Sequence, residues 1–298
     1  MNGNRLLSVV IPAYNAERWI RETLESAVRQ TYEPKEILVV DDGSSDQTAQ
    51  IVENYRDRGV HLFRNGVNRG ANYTYNFGLL HANGEYLTFL DADDVLMPQY
   101  SSRVIEAMEM NGADIGFSDL FALEGDVPRQ TRLYGQPRHP SFRFIFGGED
   151  HTFPSNPDLL RKMILQGVHI SPRAIYRRSL FLDCGIEDRR LRISHDWLRH
   201  VSFLLHGAKC VFVSEALGYY RIHNAGNSQK DPLASLIDQC RATEIILSEY
   251  AHLMSSEEQM IARQVRDATR ERLFSHLARS SLSNRQIAMF LIEHQIFI

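Results

Sequence analysis

Residues 86–94 read YLTFLDADD, an apolar run with the length of one strand and an acidic cluster directly after it. The cluster places three carboxylates, those of Asp91, Asp93 and Asp94, within four residues. Negative charge packed at a strand end costs free energy unless a cation offsets it. Carboxylate oxygens suit Mg2+ and Mn2+, so the run predicts a divalent metal site. A solvated acidic turn before Pro98 is the competing interpretation.

Three earlier segments show the same pattern of an apolar strand followed by polar residues. The predicted strands are Leu7–Ile11, Glu36–Val40 and Val60–Phe63. Apolar residues recur at helical spacing between them, which predicts helices near 16–30, 49–55 and 73–81. Alternating strands and helices indicate a mostly parallel α/β sheet, and such sheets bind ligands at the carboxyl ends of their strands.

The composition narrows the class of protein. The chain has 298 residues, 43% of them apolar, which is enough for one large domain or a domain with an extension. A formal net charge of −4 argues against a protein built to bind nucleic acid. Its three cysteines show no CxxC spacing, and an odd number cannot all pair, so a reducing cytoplasm is expected.

No segment has the length of a signal peptide or a membrane span, which predicts a cytoplasmic protein, soluble or peripheral at the membrane. After Tyr100 we expect a helix to Met110, a strand at 113–117, a long irregular segment at 125–157, a helix at 194–206 and a strand at 209–213. From Pro232 the chain is predicted to be helical and rich in arginine.

Four segments together resemble the family 2 glycosyltransferases of the GT-A fold. They are VVIPAYN at 9–15, ILVVDDGSSD at 37–46, NRGANYTYNFG at 68–78 and YLTFLDADD at 86–94. The resemblance is close over 6–100 and resumes at 185–196 and 219–228. It implies a Rossmann-like nucleotide-diphospho-sugar transferase domain at 1–225, with a nucleotide-binding half at 1–100 and an acceptor half at 101–225. Residues 226–298 would form a helical C-terminal extension.

The resemblance also implies a binding site for a nucleotide-sugar donor. Pro12, Ala13 and Tyr14 would line the base, and the Asp42 carboxylate would accept the imide N–H of uracil. Asp41 would support the turn. Further polar donor contacts are expected from Asn68, Arg69 and Asn76. Simple turn and helix-cap roles compete here, and for Ser44–Asp46 the cap is preferred.

Within the acidic run, the resemblance implies a division of labour. Asp91 would contact the nucleotide, Ala92 would leave room for it, and Asp93 would bind Mn2+ or Mg2+. His223 would complete the metal shell, with a plain surface histidine as the alternative. A direct metal contact and a supporting contact are both open for Asp94. An arginine and a serine near His223 would meet the diphosphate.

The general base implied by the resemblance is Asp196, at the start of a helix after Gly185-Ile186-Glu187-Asp188. A carboxylate that merely complements the helix dipole is the competing interpretation. The sequence departs from the family twice. His195 stands where the family commonly has Glu, and Tyr75 stands where it often has an arginine that reaches the nucleotide. Arg69 or an arginine of the Arg173–Arg178 region could supply that charge.

The predicted activity is inverting, metal-dependent transfer of one sugar from a nucleotide-sugar donor to a hydroxyl of a saccharide or lipid-linked glycan. A UDP-sugar is the favoured donor. The QxxRW motif of processive members is missing. A non-catalytic nucleotide-sugar-binding protein and, less favoured, a sugar nucleotidyltransferase are the alternatives. The basic C-terminal helices are interpreted as a solvated face, with contact to anionic lipid or a second copy as the other options.

Overall fold

The computed structural model describes residues 5–133, 152–154, 156–171, 173–223, 231–280, 283–293 and 296. The strands are β1 Leu7–Ala13, β2 Lys35–Asp41, β3 Val60–Arg64, β4 Tyr86–Phe89, β5 Val95–Leu96, β6 Ile115–Glu124, β7 Val127–Arg132, β8 Thr152–Pro154, β9 Ile175–Arg177 and β10 Cys210–Ile222. The helices are α1 Ile20–Val28, α2 Thr48–Glu53, α3 Ala71–His81, α4 Tyr100–Asn111, α5 Pro157–Leu165, α6 Ser179–Cys184, α7 His195–Leu205, α8 Pro232–Glu249, α9 Ser256–Ala278 and α10 Asn284–Glu293, with 3-10 turns at Arg56–Arg58 and Ala251–Leu253.

The strands form one mixed sheet in the order β3-β2-β1-β4-β9-β6-β10-β5, with β7 beside β6 and β8 beside β10. Strands β1 to β4 are parallel to one another, and β6 is parallel to β10, whereas β9 runs antiparallel between β4 and β6. The predicted α/β class and the four N-terminal strands are therefore confirmed. Parallel pairing brings the carboxyl ends of β1, β2 and β4 to one edge.

Strand β10 is the main difference from the predicted elements. The sequence indicated a strand at 209–213, but the observed strand runs from Cys210 to Ile222. Its pairing with β6 shifts register between Val213 and Ala216 and again before Tyr219. These irregularities interrupt the apolar pattern, which hides the continuation from sequence reading. The longer strand carries His223 toward the acidic residues after β4.

Two other predictions on the second half of the sheet also changed. Strand β6 continues to Glu124 because β7 and β10 flank it, whereas the apolar run predicted a strand only at 113–117. The segment 125–157, predicted to be irregular, contains strands β7 and β8. Residues 134–151 of that segment lie outside the described residues.

Apolar residues cover both faces of the sheet. Val10 and Leu38 belong to one buried cluster and their neighbours Val9 and Val39 to the other, as expected for alternating strand side chains. Helix α3 packs so closely against β1 at Gly78 that a side chain there would clash: an added Cβ would lie 2.3 Å from Val10 Cγ1. Helix α3 therefore lies between strands β1 and β2 on one side and the segment that precedes α7 on the other.

The C-terminal helices pack onto the sheet domain. Ile245 and Ile246 of α8 and Ile261 of α9 lie in the same buried cluster as Trp197 of α7. A further cluster joins α8, α9 and α10 through residues that include Leu236 and Leu273. A boundary near residue 225 stays a prediction. Among the described helices, none is long and apolar enough to cross a membrane.

Candidate active site

The loops after β1 and β2 are joined by side-chain hydrogen bonds. Asn15 Oδ1 accepts from the backbone N–H of Ser45 at 2.9 Å, and the Ser44 hydroxyl accepts from the backbone N–H of Asn15 at 2.9 Å. Asp46 accepts from the Thr48 N–H at 2.9 Å, while α2 has Gln47 at its N-cap with no side-chain capping bond. The helix cap preferred for Ser44–Asp46 is therefore confirmed for Asp46, which accepts from the first N–H of α2, whereas Ser44 and Ser45 link the two loops.

The three residues predicted to line the base follow directly on β1. Pro12 is half-buried and Ala13 is buried, while Tyr14 is 51% exposed at the mouth of the joined loops. An exposed ring that follows a half-buried and a buried residue can pack against a planar base. Their contact with a nucleotide stays a prediction.

Asp41 and Asp42 have different surroundings at the end of β2. Asp42 Oδ1 accepts from Asn65 Nδ2 at 2.8 Å and from the Arg69 N–H at 3.0 Å, and its Oδ2 accepts from the Gly70 N–H at 2.8 Å. Asp41 Oδ1 accepts from the Ser44 N–H at 3.2 Å, while its buried Oδ2 accepts no hydrogen bond from the described residues and lies 3.7 Å from Arg64 Nε. Asp42 thus fixes the loop after β3, while Asp41 keeps an unused acceptor.

That loop carries two other predicted contacts, Asn68 and Arg69. Asn68 Oδ1 accepts from the Gly70 N–H at 3.1 Å, and the Arg69 guanidinium lies 4.8 Å from the ring centre of Tyr73. Both side chains are exposed. They are placed where a ligand at this edge could reach them, and their predicted role is untested.

The acidic residues after β4 form a compact group. One carboxylate oxygen from each of Asp91, Asp93 and Asp94 lies within 4.8 Å of the other two. The Tyr75 hydroxyl donates to Asp91 Oδ1 at 2.5 Å, and Arg173 Nη2 lies 2.5 Å from Asp91 Oδ2 and also contacts Asp94. Burial and the neighbouring Asp91 raise the pKa of Tyr75, so its hydroxyl stays protonated and donates. Arg173 brings positive charge into the group.

Asp94 faces inward. Its side chain is 1% exposed, and its Oδ1 accepts from the Arg221 N–H at 2.8 Å. Burial raises the pKa of Asp94, whereas contact with Arg173 favours the charged form. Since the carboxylate is committed to the backbone and a guanidinium, its surroundings favour a supporting role over a direct metal contact.

Asp93 and Asp91 are the partly exposed members of the group, with 29% and 33% of their side chains exposed, and they differ in how their oxygens are bonded. His223 Nε2 lies 2.8 Å from Asp93 Oδ2, and among the described residues no hydrogen bond reaches Asp93 Oδ1. The ring of His223 packs against Trp19, with ring centres 4.2 Å apart. One free carboxylate oxygen beside an imidazole suits a divalent cation whose other ligands are phosphate oxygens and water. Asp93 and His223 therefore fit such an ion.

Arg221, the arginine expected near the diphosphate, has another role. Its guanidinium is fully buried and donates to the Asp93 backbone oxygen at 2.7 Å, to Glu22 at 2.5 Å and to Asp126 at 2.8 Å. These bonds fix the backbone of the acidic turn and occupy the buried guanidinium. The prediction that this arginine contacts the diphosphate is therefore wrong. The serine of the same segment, Ser228, lies outside the described residues.

The predicted base, Asp196, lies in the first turn of α7 and is half-buried. Burial alone would raise its pKa, but nearby histidines and Arg199 lower it below the usual value, so the carboxylate is charged. Its neighbour His195 is buried, with Nδ1 3.0 Å from Glu187 Oε2. The ring centre of His195 lies 5.1 Å from that of Tyr75, which connects the start of α7 to Asp91.

Sequence reasoning assigned no role to the side chain of Glu187. Its fully buried carboxylate contacts Arg199 and His195, and these charges outweigh burial and lower its pKa to about 2. The Asn76 carboxamide donates to the Glu187 backbone oxygen at 2.9 Å and accepts from its N–H at 2.8 Å. The predicted contact of Asn76 with the nucleotide-sugar is untested, but the Nδ2 and Oδ1 atoms of its side chain already bond to Glu187.

Asn72, also on α3, donates to the backbone oxygens of Asp188 and Leu191 at 2.6 and 2.5 Å. The sequence signal for this link between α3 and the segment before α7 is a pair of asparagines, Asn72 and Asn76, one helical turn apart. Its partners lie more than 110 residues away in the chain, so the sequence alone could not identify them.

Residues 8–183 match the family model described as glycosyl transferase family 2. The chain belongs to this family. The family predicted from the four motifs is thereby confirmed. A curated relative, the uncharacterized glycosyltransferase EpsJ of Bacillus subtilis, is 27% identical over 238 residues, which cover 78% of this chain and 66% of EpsJ.

Solved structures share the fold. TarS residues 1–349 of S. aureus, crystallised with UDP-GlcNAc, superpose with a TM-score of 0.66 at 23% identity, covering 90% of this chain and 72% of that chain. The mannosyltransferase PcManGT of Pyrobaculum calidifontis, solved with GDP-Man and Mn2+, has a TM-score of 0.62 at 16% identity, covering 99% and 81%. The GT-A-type architecture of this family 2 glycosyltransferase domain is therefore confirmed.

Proposed function

We propose that the chain transfers a sugar from a nucleotide-sugar donor, with a UDP-sugar as the favoured donor, to a hydroxyl of a saccharide or lipid-linked glycan. The observation that carries this proposal is the acidic group after β4, the strand beside β1, where His223 Nε2 lies 2.8 Å from Asp93 Oδ2. The relative TarS was solved with UDP-GlcNAc and PcManGT with GDP-Man, which supports a nucleotide-sugar donor for this fold.

In this proposal the base of the nucleotide lies against Pro12, Ala13 and Tyr14 and is held by a carboxylate at the end of β2. The resemblance assigns the imide N–H to Asp42. Asp41 is the alternative that the geometry favours, because its buried Oδ2 accepts no hydrogen bond from the described residues and has Arg64 Nε only at ion-pair distance, 3.7 Å. A carboxylate with an unused acceptor is the stronger candidate for a new hydrogen bond.

The same proposal includes a divalent cation, Mn2+ or Mg2+, held by Asp93 and His223 together with the donor diphosphate. PcManGT, which shares the fold, was solved with Mn2+. Such an ion offsets the negative charge that develops on the leaving diphosphate. The chain's own contribution is to hold the backbone of Asp93, whose carbonyl oxygen accepts from the Arg221 guanidinium at 2.7 Å.

For the chemical step we propose a single in-line displacement with inversion. The acceptor hydroxyl attacks the anomeric carbon, the carbon–oxygen bond to the diphosphate breaks, and the hydroxyl proton passes to Asp196. The carboxylate of Asp196 is charged, as a proton acceptor must be. It lies at the start of α7 next to His195, whose ring packs against that of Tyr75. The start of α7 is thus connected to the donor side through α3.

The test is a screen of UDP-, dTDP- and GDP-sugars by thermal shift with Mn2+, followed by transfer assays with the donors that stabilise the protein. Stabilisation by one donor class and release of the nucleoside diphosphate in the presence of an acceptor would support the proposal. Binding of UDP without hydrolysis or transfer from any donor would favour the non-catalytic alternative. Absence of binding to every nucleotide would contradict both.

A further inference from the structure

Arg173 is the cation that the acidic group already contains. It precedes β9, and its side chain is 4% exposed. Nη2 lies 2.5 Å from Asp91 Oδ2 and also contacts Asp94, while the guanidinium lies 4.8 Å from the ring centre of Tyr220. A buried guanidinium is tolerated only when it is paired, and here two carboxylates pair with it.

The backbone of Arg173 is held independently of its side chain. Its carbonyl oxygen accepts from the Thr88 hydroxyl at 3.0 Å and from the Tyr100 hydroxyl at 2.5 Å. Replacing the side chain therefore leaves the contacts that fix its position beside β4. The effect of a substitution can be assigned to the lost guanidinium.

The pairing divides the three carboxylates unequally. Asp91 is engaged by Tyr75 on one oxygen and by Arg173 on the other, and Asp94 is engaged by the Arg221 N–H and by Arg173. Asp93 has only His223 as a side-chain partner among the described residues. A guanidinium and a divalent cation compete for the same carboxylate oxygens, so Arg173 limits what an ion can bind.

We propose that Arg173 is a positioning residue that acts as a built-in counter-ion of the donor site. It holds Asp91 and Asp94 in place without metal and leaves Asp93 as the carboxylate of this group open to a divalent cation. The inference rests on the proposed function only in treating the acidic group as the site of the donor diphosphate. It goes beyond that function because it assigns to a side chain the charge balance that a metal would otherwise supply.

The test measures Mn2+ binding by the full chain without nucleotide, using the electron paramagnetic resonance signal of free Mn2+. In Arg173→Met, three carboxylates become available, so the Kd for Mn2+ should fall by about tenfold or more. The variant should also melt at a lower temperature than wild type without metal and gain more from added Mn2+. A merely structural arginine would not raise metal affinity when removed.

Arg177→Met is the matched control, because Arg177 lies on β9 and pairs with Glu109 at 2.7 Å, away from the acidic group. Its Mn2+ affinity should equal that of wild type. An unchanged or weaker Mn2+ affinity in Arg173→Met, with the fold intact by circular dichroism, would overturn the proposal.

A second set of variants decides the question if Arg173→Met does not fold. In the wild-type background, Asp93→Asn should abolish Mn2+ binding, while Asp91→Asn should change the Kd by less than about twofold, since Asp91 is held by Arg173. A tenfold loss in Asp91→Asn would show that Asp91 is a ligand and would overturn the proposal. No sugar enters these assays, so a chain that binds Mn2+ as expected but transfers no sugar would contradict only the proposed function.

Discussion

The side chain of Asn76 in α3 bonds to both polar backbone groups of Glu187, 111 residues later in the chain. The same helix carries Tyr75, which donates to Asp91 and packs against His195. One helix thus contacts the acidic group on one side and the segment before α7 on the other. It sets the distance between the proposed donor site and the proposed base.

Asn76→Ala should destabilise the protein by about 3 kcal/mol, because it leaves the buried N–H and carbonyl of Glu187 without partners. Urea unfolding at neutral pH measures this. Asn111→Ala is the control, since among the described residues the Asn111 amide bonds only to Ala107 O in its own helix, and it should cost less than about 1 kcal/mol. Equal unfolding free energies for the two variants would contradict the role of Asn76.

Asp196→Asn should reduce transfer by about a hundredfold or more while changing UDP affinity by less than about twofold, because it removes a proton acceptor and keeps the shape. The measurements are initial rates of transfer and calorimetry with UDP. Asp158→Asn provides the control, since Asp158 lies in the first turn of α5 and tests the effect of a helix-dipole charge alone. Substantial residual transfer by Asp196→Asn would refute its assignment as base.

Asp93→Ala should weaken UDP binding in the presence of Mn2+ and make the remaining affinity insensitive to metal. The reason is that, among the described residues, no hydrogen bond or ion pair reaches the second carboxylate oxygen of Asp93, which leaves it open to a cation. Calorimetry with and without chelator measures the metal-dependent part. The exposed Asp57, on the 3-10 turn after α2, provides the control Asp57→Ala. An unaltered Mn2+ dependence in Asp93→Ala would count against the assignment.

Glu187 should give the protein a pH-dependent stability. Its pKa in the folded chain is about 2, below the ordinary 4.5, so its contribution is present above pH 4.5 and is lost as the pH falls toward 2. The shift corresponds to about 3 kcal/mol. Glu187→Gln should therefore be less stable than wild type at pH 6, and the difference should shrink by pH 3. Urea unfolding across this range tests it, and parallel pH curves would contradict it.

The first four strands could be predicted from the sequence because each is an apolar run closed by turn residues. The register irregularities in β10 could not, since a bulge breaks the period on which strand prediction depends. The same limit applies to the site. The DADD run could be recognised from its concentration of charge. The roles of Arg173 and Arg221 could not, because they depend on which carboxylates these long side chains reach in the folded chain.

The sequence by itself determined the family, the α/β class and the acidic group after β4, because these follow from local patterns of apolar and charged residues. Only the tertiary structure decided how Asp91, Asp93 and Asp94 differ. Arg173, just before β9 and 82 residues after Asp91, pairs with two of them, and β10 brings His223 to the third. Three equal carboxylates in the chain become unequal because burial and charge pairing depend on contacts between distant segments.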